Sequence, residues 1–122
     1  MGAIVVASFH DFEGTPGDER LAEVLAAMNV AGADVLKFAC MAHSATDAAR
    51  VLAAQAWARE AYDRPIIGIA MGQHGAPTRL VGSALGSAAT FATLPGWEGS
   101  APGQFTVEQV RAVLDIVEGA GI

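Results

Sequence analysis

The stretch "ADVLKFACM", residues 33–41, places Lys37 inside an almost wholly apolar run that is bounded by Gly32 and by the polar "AHSATD". A short apolar run between turn signals predicts a buried strand. An ammonium group is costly there, because desolvation disfavours its charged form. Such a lysine either extends its stem to reach solvent or is kept partly uncharged for chemistry.

The length and composition of the chain predict a single domain over residues 1–122. Apolar residues make up 52% of the chain, enough for a hydrophobic core, and the net charge is −6. The few basic residues are scattered, so neither a nucleic-acid partner nor a membrane partner is expected. Cys40 is the only cysteine; this fits a reducing cytoplasm, and its apolar setting indicates a packed thiol.

Four apolar runs have the continuous pattern of parallel strands that are covered on both faces. They are residues 3–8, 35–39, 66–71 and 88–92. Helical segments follow each of them, which predicts the order β-α-β-α-β-α-β-α with right-handed crossovers.

The helix starts carry capping residues, namely Thr15 in "TPGD", Ser44 in "SATD" and Thr106 in "TVEQ". A shorter helix is expected over residues 78–85, weakened by Gly82. Two helices show an apolar stripe at i, i+3, i+4, i+7. The stripes are Leu21, Val24, Leu25 and Met28, and Val110, Val113, Leu114 and Val117.

Four βα units are compatible with two architectures. One is a small open parallel sheet with helices on both faces, and the other is half of an eight-stranded barrel of about 250 residues. Periodicity alone leaves both open.

Three cationic or titratable side chains follow or end the predicted strands. His10 comes just after the first strand, Lys37 lies near the end of the second, and Arg79 follows the loop "MGQHGAPTR" after the third. Functional groups of parallel α/β folds collect at this edge. An amine, an imidazole and a guanidinium together favour imine chemistry, in which the lysine attacks a ketone, the histidine moves a proton and the arginine holds a carboxylate.

Other polar residues near the strand ends carry no comparable signal. His43 and His74 lack metal-ligand spacing with carboxylates or with Cys40, and they are read as solvated loop residues. No metal and no cofactor is expected.

At these residues the sequence resembles the type I 3-dehydroquinate dehydratases, Schiff-base enzymes of the shikimate pathway. "SFHDFEGTP" is similar to the family's histidine segment and "ADVLKFACMAHS" to its imine-lysine strand. "RPIIGIAMGQHGAPTRLVGSALGSAATF" is similar to the next strand, glycine loop and arginine helix. "SAPGQFTVEQVRAVL" is similar to the loop that covers the substrate and to the last helix.

The resemblance implies the conversion of 3-dehydroquinate to 3-dehydroshikimate and water. Lys37 would form the imine with the C3 ketone, His10 would remove the C2 proton and later help the C1 hydroxyl leave, and Arg79 would bind the carboxylate. The other pocket residues that the resemblance implies are Ser100, Gln104, Phe91 and Met71.

The family is an eight-stranded TIM barrel, and this chain resembles only its second half, units five to eight. The first half supplies a glutamate that orients the histidine, and further glutamate and arginine side chains that bind the substrate. An isolated half leaves two open strand edges and an uncovered apolar interior, which favours association. We therefore expect half of a TIM barrel that is completed either as a homodimer or by a separate first-half polypeptide.

Two other functions are also compatible with the sequence. The chain could be a catalytically incomplete half-barrel that acts as a structural or assembly module. It could also use Lys37 as a Schiff-base nucleophile on another small keto acid.

Overall fold

A computed structural model describes residues 2–94, 96 and 104–119. The described strands are β1 (Val6–Asp11), β2 (Val35–Met41) and β3 (Ile66–Met71). The described α-helices are α1 (Asp18–Val30), α2 (Ala45–Ala61), α3 (Thr78–Val81) and α4 (Val107–Gly119), with 3₁₀ helices at Gln73–Gly75 and Gly82–Leu85. Within these residues, no helix combines the length and the apolar character needed to cross a bilayer.

The three strands are parallel and lie in the order β1-β2-β3. When parallel strands follow one another in chain order, right-handed crossovers place their connecting helices on the same face. The core agrees, because the buried side chains of α1 and α2 form one cluster with those of β2 and β3. This is the arrangement of half a barrel, so the open sheet with helices on both faces does not apply to the described strands.

The strand register divides the side chains between two faces, since alternate residues of a strand point in opposite directions. Leu36, Phe38 and Cys40 point toward the helices and are fully buried. Lys37 lies on the other face, next to Ser8 of β1 and Ile67 of β3. Helices α1 and α2 do not cover this second face, which is exposed along β1 at Val6, Ser8 and His10.

The predicted strand ends are wrong by two or three residues in the first two strands. β1 begins at Val6 rather than at residue 3 and continues to Asp11, while β2 continues to Met41 rather than ending at residue 39. The polar side chains Ser8 and His10 suggested a strand end. They belong to the strand because they lie on its uncovered face, where polar groups stay solvated.

The fourth predicted strand, residues 88–92, is not a regular strand in the structure. Its start is paired, since the Ala88 amide donates to the Ile66 carbonyl at 2.7 Å. The chain then turns away, and the Thr93 amide donates to the Phe105 carbonyl at 2.8 Å. The chain here pairs with the residues that lead into α4 instead of continuing a ladder with β3.

Two of the three predicted caps are confirmed. The Ser44 hydroxyl accepts from the Asp47 amide at 3.1 Å. Thr106 and Gln109 form a reciprocal capping box, because each side chain accepts from the other residue's amide, at 3.2 and 3.0 Å.

The Thr15 cap is wrong. Gly17 is the N-cap of α1, with no side-chain cap hydrogen bond. The Thr15 hydroxyl instead donates to the Met41 carbonyl at 2.9 Å. This long-range hydrogen bond connects the loop after β1 to the end of β2, and no local sequence pattern predicts it.

The apolar stripe of α1 is confirmed, since all four of its residues are buried. The stripe of α4 is buried only at Val110. Val113, Leu114 and Val117 are half-buried, and neighbouring Ile116 is 72% exposed. α4 therefore packs through its first turn.

The predicted helix over residues 78–85 divides at Gly82 into α3 and a 3₁₀ turn. The fully buried Gln55 of α2 explains why. Its Nε2 donates to the carbonyls of Gly82 and Leu85 at 3.0 and 3.2 Å, and its Oε1 accepts from the Gly68 amide at 3.0 Å. One amide side chain therefore joins α2 to β3 and to the turn after α3.

We predict that Gln55→Leu lowers the free energy of unfolding by about 1–3 kcal/mol, because it leaves the half-buried Gly68 amide without its acceptor, whereas the Gly82 carbonyl keeps the Ser87 amide as a donor. Urea denaturation measures the loss. Glu60→Gln, at an exposed site on the same helix, is the control and should stay within about 0.5 kcal/mol of the parent. A loss below about 1 kcal/mol in Gln55→Leu would contradict this role.

The packed state expected of Cys40 is also confirmed. The residue is fully buried in the core, and burial raises the pKa of its thiol from 9.0 to about 11, with a smaller contribution from the charge of Asp11. The thiolate is the reactive form. At neutral pH this thiol is therefore protonated and shielded.

We predict that the native protein resists alkylation by iodoacetamide at about pH 8, while the denatured protein takes up one carbamidomethyl group. An Ala53→Cys variant, at an exposed position of α2, provides the accessible comparison and should react in the native state. Mass spectrometry counts the labels. Labelling of Cys40 at the rate of residue 53 would show that the core opens.

Candidate active site

Six of the seven site residues predicted from the sequence line one pocket of about 260 Å³. The six are His10, Lys37, Met71, Arg79, Phe91 and Gln104. The seventh, Ser100, lies outside the described residues. Phe12, Ala39 and Ile69 complete the lining. The pocket lies on the uncovered face of the sheet, so the residues that carry the predicted chemistry do meet there.

Lys37 projects from β2 onto this face and is half-buried. Its Nζ lies 4.7 Å from the centroid of the Phe91 ring, within the range of a cation–π contact. The lysine is therefore accommodated in an apolar run because its amine leaves the core and meets an aromatic face. Lys37 and Phe91 both line the pocket.

His10 occupies the same face near the end of β1. It pairs with Ala39, while Lys37 pairs with Ser8, so the imidazole and the amine are diagonal neighbours one pleat apart. The His10 side chain is exposed, and its ring stacks on Phe12 with a centroid distance of 5.6 Å and an interplanar angle of 7°. Phe12 was missed from the sequence, although an aromatic residue two positions after a strand-end histidine was a usable signal.

Arg79 approaches the pocket from α3 and is only 7% exposed. Its Nε is buried without a hydrogen-bond partner among the described residues, and burial lowers the pKa of the guanidinium. A buried cation without a paired anion is energetically costly. The guanidinium is thus suited to an anionic ligand, which would supply the missing partner.

A close backbone contact brings α3 to this position. Gly75 is buried, and a Cβ atom built on it would lie 2.0 Å from the Ala70 carbonyl oxygen. Only glycine allows the loop after β3 to fold back this tightly. The Thr78 hydroxyl then donates to the Gly75 carbonyl at 2.6 Å, which fixes the start of α3 one residue before Arg79.

The loop that follows His10 is anchored to the neighbouring β2–α2 connection. His43 is exposed, as expected, but its Nε2 is hydrogen-bonded to the Glu13 carbonyl, so it is not simply a solvated loop residue. Arg50 of α2 donates to the Pro16 carbonyl and, through Nε, to Asp18 at 3.2 Å. These contacts hold the segment beside the imidazole against the body of the protein.

The described pocket lining includes two basic side chains, Lys37 and Arg79, and no carboxylate. Uncompensated positive charge in a partly desolvated cleft attracts anions. An apolar side, formed by Ile69, Met71 and Phe91, faces these cations. The geometry therefore suits a compact organic anion with an electrophilic carbon near the lysine.

The model of the family described as type I 3-dehydroquinase matches residues 1–120. Two proteins named 3-dehydroquinate dehydratase are similar over most of this chain. The Aromatoleum aromaticum protein is 39% identical over 93% of this chain and 43% of its own length. The Albidiferax ferrireducens protein is 42% identical over 95% of this chain and 43% of its own length.

Solved structures of 3-dehydroquinate dehydratases are similar as well. The Geobacillus kaustophilus enzyme superposes with a TM-score of 0.89 at 42% identity, covering 96% of this chain and 45% of that one. The type I enzyme of Clostridium difficile, crystallised with covalent modified comenic acid, gives a TM-score of 0.85 at 35% identity, covering 94% and 45%. The chain spans less than half the length of these relatives, and it belongs to the type I 3-dehydroquinase family.

Proposed function

We propose that this chain provides the Schiff-base half of a 3-dehydroquinate dehydratase, a hydro-lyase that converts 3-dehydroquinate to 3-dehydroshikimate and water. One observation carries the proposal: Lys37, His10 and Arg79 line the same pocket on the uncovered face of the sheet. The membership of the family supports the substrate. A cytoplasmic location is part of the proposal, and the single buried thiol is consistent with it.

Lys37 acts as the nucleophile. Its uncharged amine adds to the C3 ketone, and the resulting carbinolamine takes up one proton from solvent and loses one water, which leaves a protonated imine. The imine withdraws electrons and makes the C2 proton more acidic. The Phe91 ring, 4.7 Å from Nζ, can stabilise the positive charge of the iminium through a cation–π contact.

His10 transfers the protons. It takes the C2 proton, the C1–O bond breaks, and the departing hydroxyl receives a proton from the imidazolium and leaves as water. Hydrolysis of the imine then frees the product and restores the amine. The stacking on Phe12 limits rotation of the imidazole, which helps a ring at an exposed position to keep its orientation toward the pocket.

Arg79 binds the substrate carboxylate. A planar guanidinium forms paired hydrogen bonds with a carboxylate, and the unpartnered Nε of Arg79 is available for one of them. Met71 and Phe91 form the apolar wall, with Gln104 at the pocket and Ser100 proposed to close over the same side. This assignment gives each predicted residue a distinct task.

We predict that incubation with 3-dehydroquinate and borohydride adds one reduced adduct to Lys37, because imine formation needs only an accessible amine and a pocket. Lys37 is the only lysine in the chain, so peptide mass spectrometry assigns the site directly. Lys37→Met should give no adduct. Arg79→Gln keeps the amine and should lower the yield at limiting substrate about tenfold, the value of a lost charge-assisted pair.

The outcome separates the competing functions. Capture of other small keto acids but not of 3-dehydroquinate would identify a different Schiff-base enzyme. No capture of any ketone would leave an incomplete half-barrel with a structural role, and it would contradict the proposal.

We further propose that a second polypeptide segment completes the barrel. The uncovered face and its borders expose large apolar side chains, among them Val6 at 49% and Phe12 at 68%. β1 has no neighbour on its outer edge among the described strands, and an open edge invites pairing. A second copy would bring two more cations to the pocket, whereas a first half that carries carboxylates would neutralise Lys37 and Arg79.

We predict that the chain alone self-associates and that lowering the salt concentration weakens this assembly, because like charges then repel over a longer distance. Addition of a first-half polypeptide should form a one-to-one complex that lower salt strengthens. Sedimentation velocity at about 50 mM and about 500 mM NaCl distinguishes the two trends. A 12.5 kDa monomer in every mixture would contradict the two-part barrel.

A further inference from the structure

We infer that a second cavity, at the opposite end of the sheet from the Lys37 pocket, binds an anion of the phosphate type. The cavity measures about 420 Å³ and lies beside Pro65, just before β3, and beside Ala88. The Lys37 pocket is instead bordered by Ile69 and Met71, toward the end of the same strand. The two cavities share no lining residue.

Two arginines line this cavity, and each has a contact that positions its side chain. Arg59 lies against Gly86, where an added Cβ would be 3.0 Å from the Arg59 Cβ and 3.2 Å from its Cγ. Gly86 has a φ of +99°, which favours glycine. Arg64 donates from Nε to the Asn29 side chain at 3.3 Å, which leaves its two terminal nitrogens for a ligand.

The charges of these arginines are not neutralised within the described chain. Arg20 and Arg50 form ion pairs with neighbouring carboxylates, but neither Arg59 nor Arg64 does. Asp63 also lines the cavity, yet it is not within ion-pair distance of either arginine. The cavity therefore carries a net positive charge on a chain whose overall charge is −6.

The chemistry of the lining selects the class of ligand. Guanidinium groups recognise phosphate through paired hydrogen bonds. The Ser83 hydroxyl adds a possible donor, whereas the Ser87 hydroxyl already donates to the Ala89 carbonyl at 2.8 Å. The cavity is larger than one phosphate, so it accepts either inorganic phosphate or a phosphate monoester.

The test is an NMR titration of the ¹⁵N-labelled full chain, in its native assembly, with inorganic phosphate and separately with glycerol 3-phosphate. Shifts of the Gly86, Ser87 and Ala88 amides are expected. Arg59→Gln and Arg64→Gln should each weaken binding about tenfold, and the double variant should abolish it. Arg20→Gln, an exposed arginine on α1, is the control and should bind as the parent does.

The remaining outcomes are equally informative. Tighter binding of the monoester identifies an organic phosphate as the ligand, and equal binding identifies the free anion. Lys37→Met should leave the titration unchanged, which separates this site from the proposed imine chemistry. Shifts confined to the Lys37 pocket, or binding that persists in the double variant, would overturn the inference.

Discussion

The parallel, right-handed β-α-β path is the constraint on which the structure depends. Because β1, β2 and β3 follow one another in order, α1 and α2 cover the same face. The other face receives the alternate side chains, among them Lys37 and His10. Reactive groups can occupy the middle of a strand only because the helices leave that face open.

Electrostatics connects the open face to the proposed chemistry. The fold buries Arg79 without an anionic partner and places Lys37 against an aromatic ring rather than against a carboxylate. Burial of the unpaired Arg79 guanidinium is costly in the free protein, and an anionic ligand bound to it would remove that cost. In the proposed function, the substrate and a completing half of the barrel would supply the missing anionic partners.

Local signals predicted much of the fold. Ser44 and Thr106 cap helices through residues three positions away, and the α1 stripe encodes its own buried face, so both could be read from short windows. The contacts of Thr15, Gln55 and His43 could not be predicted in this way. The partners of Thr15 and His43 lie 26 or more residues away along the chain. Gln55 forms hydrogen bonds with three separate backbone groups. The irregular course of residues 88–92 has a related cause, because the hydrogen bonds between Thr93 and the segment that leads into α4 join positions 12 or more residues apart.

The sequence predicted which residues form the candidate site, but it did not predict how their side chains are packed. Strand ends and the family resemblance pointed to Lys37, His10 and Arg79, while the stacking of Phe12 on the imidazole and the burial of the guanidinium depend on tertiary packing. The most direct test is a crystal structure of the borohydride-reduced substrate complex. We predict continuous density from the Lys37 Nζ to the former C3 carbon, with the carboxylate hydrogen-bonded to Arg79. A carboxylate directed to solvent, with the arginine unoccupied, would contradict this prediction.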